Sequence, residues 1–307
     1  MGNQEMPLLE APGEVSKLRA LWRLMRPRQW LKNLLVFAPL VFTESFLRLA
    51  AWPPALIAFA SFCLLSSTVY TLNDLHDAAE DRLHPKKRHR PIASGLVAPT
   101  KATALAAVLG VLGLLLAASV NPLVAVIAVG FLVVNALYTL VLRSRVLVDA
   151  FGISAGFLLR AAAGAAALHV SMSPWLFVLV LLLTLFLALG KRRSELRALQ
   201  GATGSHRGVL ERYTATLLDQ LLAVTVSSTI ALYAVYSFYQ PMHAHSFMLT
   251  IPFVVYGLFR YLYLLAANDK VENPDEMLVA DGPTLANLGL WAVSVVALLL
   301  LNRQGIL

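Results

Sequence analysis

Charge is scarce in this sequence, and so is cysteine. Asp, Glu, Lys and Arg make up only 14% of the 307 residues, against 58% hydrophobic, and mean hydropathy is +0.70. A soluble domain usually has about a quarter of its residues charged. This much apolar surface has no aqueous core to enter, so lipid is the solvent. The single cysteine, Cys63, lies in an apolar run, which excludes a disulfide framework and reads as a small hydrophobe. No fixed-period repeat and no low-complexity tract is present. A secretory signal is not expected, because the N-terminal stretch is polar and mixed, with no short apolar core before a cleavage site.

What is there is a series of long apolar runs. A helix needs about 20 mostly apolar residues to cross the hydrocarbon. Nine runs qualify, at 30–48, 52–72, 100–120, 122–142, 146–168, 173–190, 216–238, 246–267 and 284–301. The first is the weakest, because Glu44 and Arg48 interrupt its far end. Asn121-Pro122 and the stretch 171–174 mark tight turns. The expected fold is therefore all-α and polytopic, with nine transmembrane helices. A polar tail at 1–20 precedes a single membrane domain at 21–307.

Charge sets the expected orientation. With nine spans, the N-terminus and every second loop share one face, and that face holds 21 of the 25 basic residues. The others are Arg48, Arg160, Arg260 and Arg303. By the positive-inside rule the N-terminus is cytoplasmic, in an inner (cytoplasmic) membrane. The net charge of +8 then reflects basic loops and anionic phosphate ligands, not nucleic acid.

The loop after the second span carries Asn73, Asp74, Asp77 and Asp81. On a continuing helix, Asn73, Asp77 and Asp81 lie at i, i+4 and i+8 on one face, with Asp74 beside Asp77. Carboxylates that close repel one another and need a cation. Hard oxygen donors point to Mg²⁺, which also takes phosphate oxygens. Directly downstream lie Lys86, Lys87, Arg88 and Arg90. Alone they could anchor the chain or bind lipid headgroups. Beside three carboxylates they read as the anion half of a metal–phosphate site. His76, His84 and His89 have no zinc-ligand spacing.

Three further features concern anions. Lys191, Arg192 and Arg193 open the loop after the sixth span and can grip phosphate. Arg26-Pro27-Arg28-Gln29-Trp30-Leu31-Lys32-Asn33 supplies cations and amides at the membrane interface, with Trp30 as an interfacial anchor. In the fifth span, Asp149 and Arg160 are eleven residues apart and within about 20° of one helical face. A charge as deep as Arg160 must face the bundle interior. Either it pairs with a buried acid, or it approaches a phosphate in a cavity.

The Asn73-Asp74-x-x-Asp77-x-x-x-Asp81 pattern resembles the first Asp-rich motif of the UbiA superfamily of intramembrane prenyltransferases. That superfamily has nine helices around a central cavity open to the cytoplasm and to lipid. The Arg-Pro-x-x-Trp start of the first span also agrees. Superfamily members usually carry a second Asp-rich motif after the sixth span, where this chain has Lys191-Arg192-Arg193-Ser194-Glu195. That departure resembles the branch that makes decaprenyl-phosphate phosphoribose, a precursor of cell-wall arabinan. So do the run from His84 to Gly95, Tyr138 with Arg143 and Asp149, the stretch from Gly156 to Arg160, and Arg207 with Leu210 and Tyr213. Arg143 stands where relatives often carry Lys, and Gly282 follows Asp281 where an Arg is usual.

The resemblance implies transfer of 5-phosphoribose from phosphoribosyl diphosphate to a polyprenyl phosphate, with Mg²⁺ on Asn73, Asp74, Asp77 and Asp81. Asp77, Asp81 and Lys191 are the expected catalytic residues. The donor carries a second phosphate and the acceptor is another anion, so extra cations replace the second acidic motif. Lys32, Asn33, Lys87, Arg90, Tyr138, Arg143, Lys191, Arg192 and Arg193 are the candidates for the donor phosphates. Arg28, Gln29, Asp149 and Arg160 are assigned to the lipid phosphate or to structure. Membrane lipid is a partner in any case, and a homo-oligomer is left open. The alternatives are transfer of a prenyl group from its diphosphate to an aromatic or other acceptor, and a lipid or small-molecule transporter.

Overall fold

The computed structural model describes residues 14–199, 210–239, 246–267 and 280–304. The expectations for the tail at 1–13 and for Arg207 lie outside these residues. No strand occurs among the described residues.

Eight helices are long and apolar enough to cross a membrane, as expected for a multi-pass membrane protein. Seven of the core elements are α3 (Trp52–His76), α5 (Pro99–Val120), α6 (Pro122–Leu140), α7 (Val148–Ala167), α8 (Pro174–Leu199), α9 (Ala215–Tyr239) and α10 (Ile251–Ala267). The eighth is α11 (Gly282–Arg303). Three short elements complete the frame: α1 (Glu14–Met25), α2 (Ala38–Phe42) and α4 (Ala78–Leu83). Prolines open α5, α6 and α8 at their first residue, where the missing N–H costs no hydrogen bond.

The run expected at 30–48 is not a long α-helix. Pro27–Phe37 is a 3₁₀ helix of 11 residues that continues into the five residues of α2, and two further 3₁₀ turns follow at Ser45–Leu47 and Leu49–Ala51. The 3₁₀ form rises about 2 Å per residue against about 1.5 Å for α. Pro27–Phe42 is therefore about 30 Å long, close to the hydrocarbon thickness of a bilayer.

Helix α3 and helix α7 are central, with 61% and 56% of their apolar windows buried, against 22% for α5, α6 and α11. Lipid gives no hydrophobic drive for helix association, so small residues that allow close packing matter more. In α7, Ala161, Ala163, Gly164, Ala165, Ala166 and Ala167 are all buried. Gly164 lies so close to the 3₁₀ segment that a Cβ there would overlap the Val36 carbonyl oxygen. Helix α3 packs along α5, where the Ser61 hydroxyl donates to the Gly113 carbonyl at 2.7 Å. Val108, Val111, Leu112 and Leu115 of α5 stay exposed, as lipid-facing residues do.

Helix α8 runs well past the expected end of its span. Lys191, Arg192 and Arg193 therefore lie within its last turns and not in a loop. The continuing sequence suits this, because Glu195, Leu196, Arg197, Ala198 and Leu199 are good helix formers and Arg192 pairs with Glu195 one turn on.

Candidate functional site

A cavity of about 830 Å³ lies between α1, the 3₁₀ segment, α3, α6, α7 and α8. Its lining includes Arg26, Arg28, Gln29 and Lys32 from the α1–3₁₀ junction, and Asn73, Asp74 and Arg90 from the acidic side. Tyr138, Arg160 and Lys191 complete the expected residues that it gathers.

The acidic motif keeps its one-sided arrangement across a break. Helix α3 ends at His76 and α4 starts at Ala78, with Asp77 between them at φ −88°, ψ 2°. The Asp77 N–H still donates to the Asn73 carbonyl, and the Asp81 N–H to the Asp77 carbonyl, both at 2.9 Å. The i, i+4, i+8 relation therefore survives the break. The Asn73 amide oxygen accepts from the Thr139 hydroxyl of α6 at 2.8 Å.

Every carboxylate of the motif meets an arginine. Arg90 bridges Asp74 at 3.1 Å and Asp81 at 2.6 Å. Arg143 holds Asp77 at 2.9 Å, and Arg26 also pairs with Asp74. Arg26 takes a left-handed conformation (φ 51°, ψ 60°) ahead of Pro27, which disfavours α geometry in the residue before it. This turn brings the Arg26 side chain back over the Tyr70 ring, 5.2 Å from its centroid, and onto Asp74. From the sequence alone Arg26 is only an interfacial cation, and its place before a proline is the one signal that the chain turns there.

The donor set suits a hard cation. Asn73, Asp77 and Asp81 each present a side-chain oxygen, the donor type such a cation takes. Within those residues, no group of three or more His, Cys, Asp or Glu is gathered tightly enough to hold a metal. Any metal here would share its ligands with Asn73 and phosphate oxygens.

The basic run on α8 divides. Lys191 lines the cavity. Arg192 is buried, 1% exposed, and is held by Asp149 at 2.5 Å, by Glu195 and by the Tyr138 hydroxyl at 3.0 Å. Arg193 turns to Asp219 of α9 at 2.7 Å. The expected three-cation grip therefore leaves one cation, Lys191, on the cavity wall.

Asp149 pairs with Arg192, not with Arg160. Its second oxygen accepts from the Tyr213 hydroxyl at 2.7 Å. That hydroxyl accepts in turn from the Leu147 N–H at 2.7 Å, at the left-handed start of α7 (φ 66°). Burial, and then donation to Asp149, raise the Tyr213 hydroxyl well above the usual phenol range, so it stays a donor. The cytoplasm-expected ends of α6, α7 and α8 are thus tied by one network.

No acid pairs with the buried Arg160 among the described residues. Its Nε donates to the Asn33 amide oxygen at 2.6 Å, Nη1 to the Gly156 carbonyl at 2.8 Å and Nη2 to the Ser66 hydroxyl at 3.3 Å. Asn33 is fully buried, and its amide also meets Ser66 and Cys63. Its place is behind Arg160 and not on the cavity wall. Lys87, whose N–H donates to the His84 ring at 3.3 Å, is also off that wall.

Residues 36–288 match the sequence model of the UbiA prenyltransferase family. The decaprenyl-phosphate phosphoribosyltransferase of Mycolicibacterium smegmatis is 33% identical over 242 residues, spanning 78% of this chain and 76% of that protein. The enzyme of the same name from Corynebacterium glutamicum is 31% identical, spanning 84% and 80%. A UbiA homolog from Archaeoglobus fulgidus, solved bound to GPP and Mg²⁺, superposes with a TM-score of 0.67 at 16% identity, spanning 94% of this chain and 99% of that one. The chain belongs to the UbiA prenyltransferase family.

Proposed function

We propose that this protein transfers 5-phosphoribose from phosphoribosyl diphosphate to a polyprenyl phosphate such as decaprenyl phosphate, releasing diphosphate. The observation that carries this reading is the similarity, over more than three quarters of the chain, to proteins named for that reaction. The cationic cavity supports it, since Lys191 stands where a prenyltransferase usually has a second acidic motif.

In this reading an oxygen of the acceptor phosphate attacks the anomeric carbon of the ribose. The bond from that carbon to the diphosphate oxygen breaks, and the diphosphate leaves. The acceptor oxygen is already ionised near neutral pH, so no side chain has to remove a proton. This agrees with a cavity wall that carries no histidine or cysteine among the described residues. Asn73, Asp74, Asp77 and Asp81 would hold Mg²⁺, which when bound would neutralise charge developing on the leaving diphosphate.

Of the three arginines on the carboxylates, Arg90 and Arg143 would be available to donor phosphates if Mg²⁺ took their place. Lys191 and Lys32 add positive charge along the cavity wall. Arg192 acts through position, since its bond to the Tyr138 hydroxyl fixes that ring at the wall. The positive-inside pattern supports a site on the cytoplasmic side, where a soluble, charged donor has access.

A competition experiment separates this reading from prenyl transfer. Purified protein is given Mg²⁺, a polyprenyl phosphate and labelled phosphoribosyl diphosphate, with unlabelled prenyl diphosphate and an aromatic acceptor added in excess. Continued labelling of the lipid phosphate is expected. Transfer of the prenyl group to an aromatic acceptor, with no labelled lipid, would overturn the proposal.

A further inference from the structure

Arg160 is 6% exposed, in the thirteenth position of a 20-residue membrane helix. Asn33, Gly156 and Ser66 are its hydrogen-bond partners, and all are neutral. The Phe131 and Phe157 rings lie 4.6 and 5.3 Å from its guanidinium carbon. A guanidinium has five N–H donors, and these bonds use three. The nearest acid on the same helix, Asp149, is saturated by Arg192 and Tyr213. A cation this deep in a membrane bundle is costly without a counter-charge, and no acid pairs with it among the described residues.

The cavity connects Arg160 to the acidic motif. Both line the same 830 Å³ space. Ser66, which accepts from Arg160, and Asn73, in the acidic motif, are seven residues apart on α3. That spacing puts them on one face of the helix, about 10 Å apart along its axis. An anion on Arg160 therefore sits about 10 Å from the motif, deeper in the bundle. Asn33 accepts from both Arg160 and Ser66, so the guanidinium plane is fixed before any ligand arrives.

We propose that Arg160 is the floor of the cavity's second anion site and binds a phosphate monoester there. Two ligands in the reaction above carry that group, the 5-phosphate of the donor and the phosphate of the polyprenyl acceptor. This inference rests on that reaction for its ligands, but not for the site. A planar guanidinium with two N–H groups to spare matches two oxygens of one phosphate.

The test measures binding, not turnover. Wild-type protein, Arg160→Met and Arg160→Lys are titrated in nanodiscs with phosphoribosyl diphosphate, with a short polyprenyl phosphate, and with inorganic diphosphate plus Mg²⁺. Arg160→Met is expected to lose affinity about 30-fold or more for one phosphate monoester ligand, and to keep diphosphate affinity within about twofold. Loss confined to the donor assigns the 5-phosphate; loss confined to the lipid assigns the acceptor. Arg160→Lys should recover part of the loss, and it carries the test if the methionine variant does not fold. Unchanged affinity for both ligands in a folded variant overturns the proposal. So does an equal loss for all three ligands, which is the mark of a purely structural cross-link. If wild-type protein binds neither donor nor lipid, the transferase reading fails. Thermal stabilisation by inorganic phosphate then tests Arg160 alone. It should be present in wild type and absent in Arg160→Met, and its absence from both overturns the site.

Discussion

Arg192 and Asp149 face each other at 2.5 Å with both side chains out of solvent, across the ends of α7 and α8. Removing Arg192 strands the Asp149 carboxylate inside the bundle, whose other oxygen meets only the neutral Tyr213 hydroxyl among the bonds described above. Arg192→Met is expected to cost about 3–5 kcal/mol. The double change Asp149→Leu with Arg192→Met should recover much of that loss, because the buried carboxylate goes with its partner. Unfolding in mild detergent, followed by helical circular dichroism, reads both variants. A double mutant less stable than the single one would show that the pair is not the issue.

Neighbours on α8 should behave differently from each other. Lys191 lines the cavity, while Arg193 reaches away to Asp219. Lys191→Ala is expected to raise the apparent KM for the phosphorylated donor about tenfold or more. Arg193→Ala should leave that KM near wild type and cost at most about 1 kcal/mol of stability, since its partner is half exposed. Steady-state kinetics on the two variants decides whether the basic run acts as one site.

These two cases also show what the sequence could carry. Eight of the nine expected spans coincide with long apolar helices, because hydropathy and proline positions encode them directly. The helix type of the run at 30–48 was not legible, because the 3₁₀ form of Pro27–Phe37 leaves no periodic trace in an apolar stretch. Asn73, Asp77 and Asp81 were legible because helical spacing is local. Their arginine partners were not, since Arg143 and Asp77 are 66 residues apart and only the fold joins them. Arg192 looked like a phosphate ligand beside Lys191. Its burial depends on Asp149, Glu195 and Tyr138 converging from two other directions in the chain.

Close backbone approach makes its own prediction. Gly164→Ala places a Cβ against the Val36 carbonyl and should destabilise the protein by about 1–3 kcal/mol. Gly130→Ala is the control, since the nearest atom to its Cβ would be 4.0 Å away. Thermal unfolding in the same detergent compares the two.

Acid should loosen the last helix. Asp281 caps α11 through Thr284 and pairs with Arg260 at 2.7 Å. The hydrogen bond from Arg260, and then that from Thr284, hold its carboxyl well below the usual carboxylate range. A carboxyl depressed in the folded state adds stability above its unfolded value and loses it as pH falls. The loss therefore starts near about pH 4 and deepens below it. Asp281→Asn should flatten this part of the acid unfolding profile. An unchanged slope below pH 4 would remove Asp281 from the account.

The central claim is that this cavity moves phosphoribose onto a lipid phosphate. Mass spectrometry of the lipid fraction tests it most directly, after purified protein is incubated with Mg²⁺, phosphoribosyl diphosphate and decaprenyl phosphate. A lipid heavier by one phosphoribosyl group is expected, with an equal amount of released diphosphate. The yield should be about 100-fold lower in a folded Asp77→Asn variant. Unmodified lipid with the wild-type protein, or full yield with Asp77→Asn, would contradict the claim.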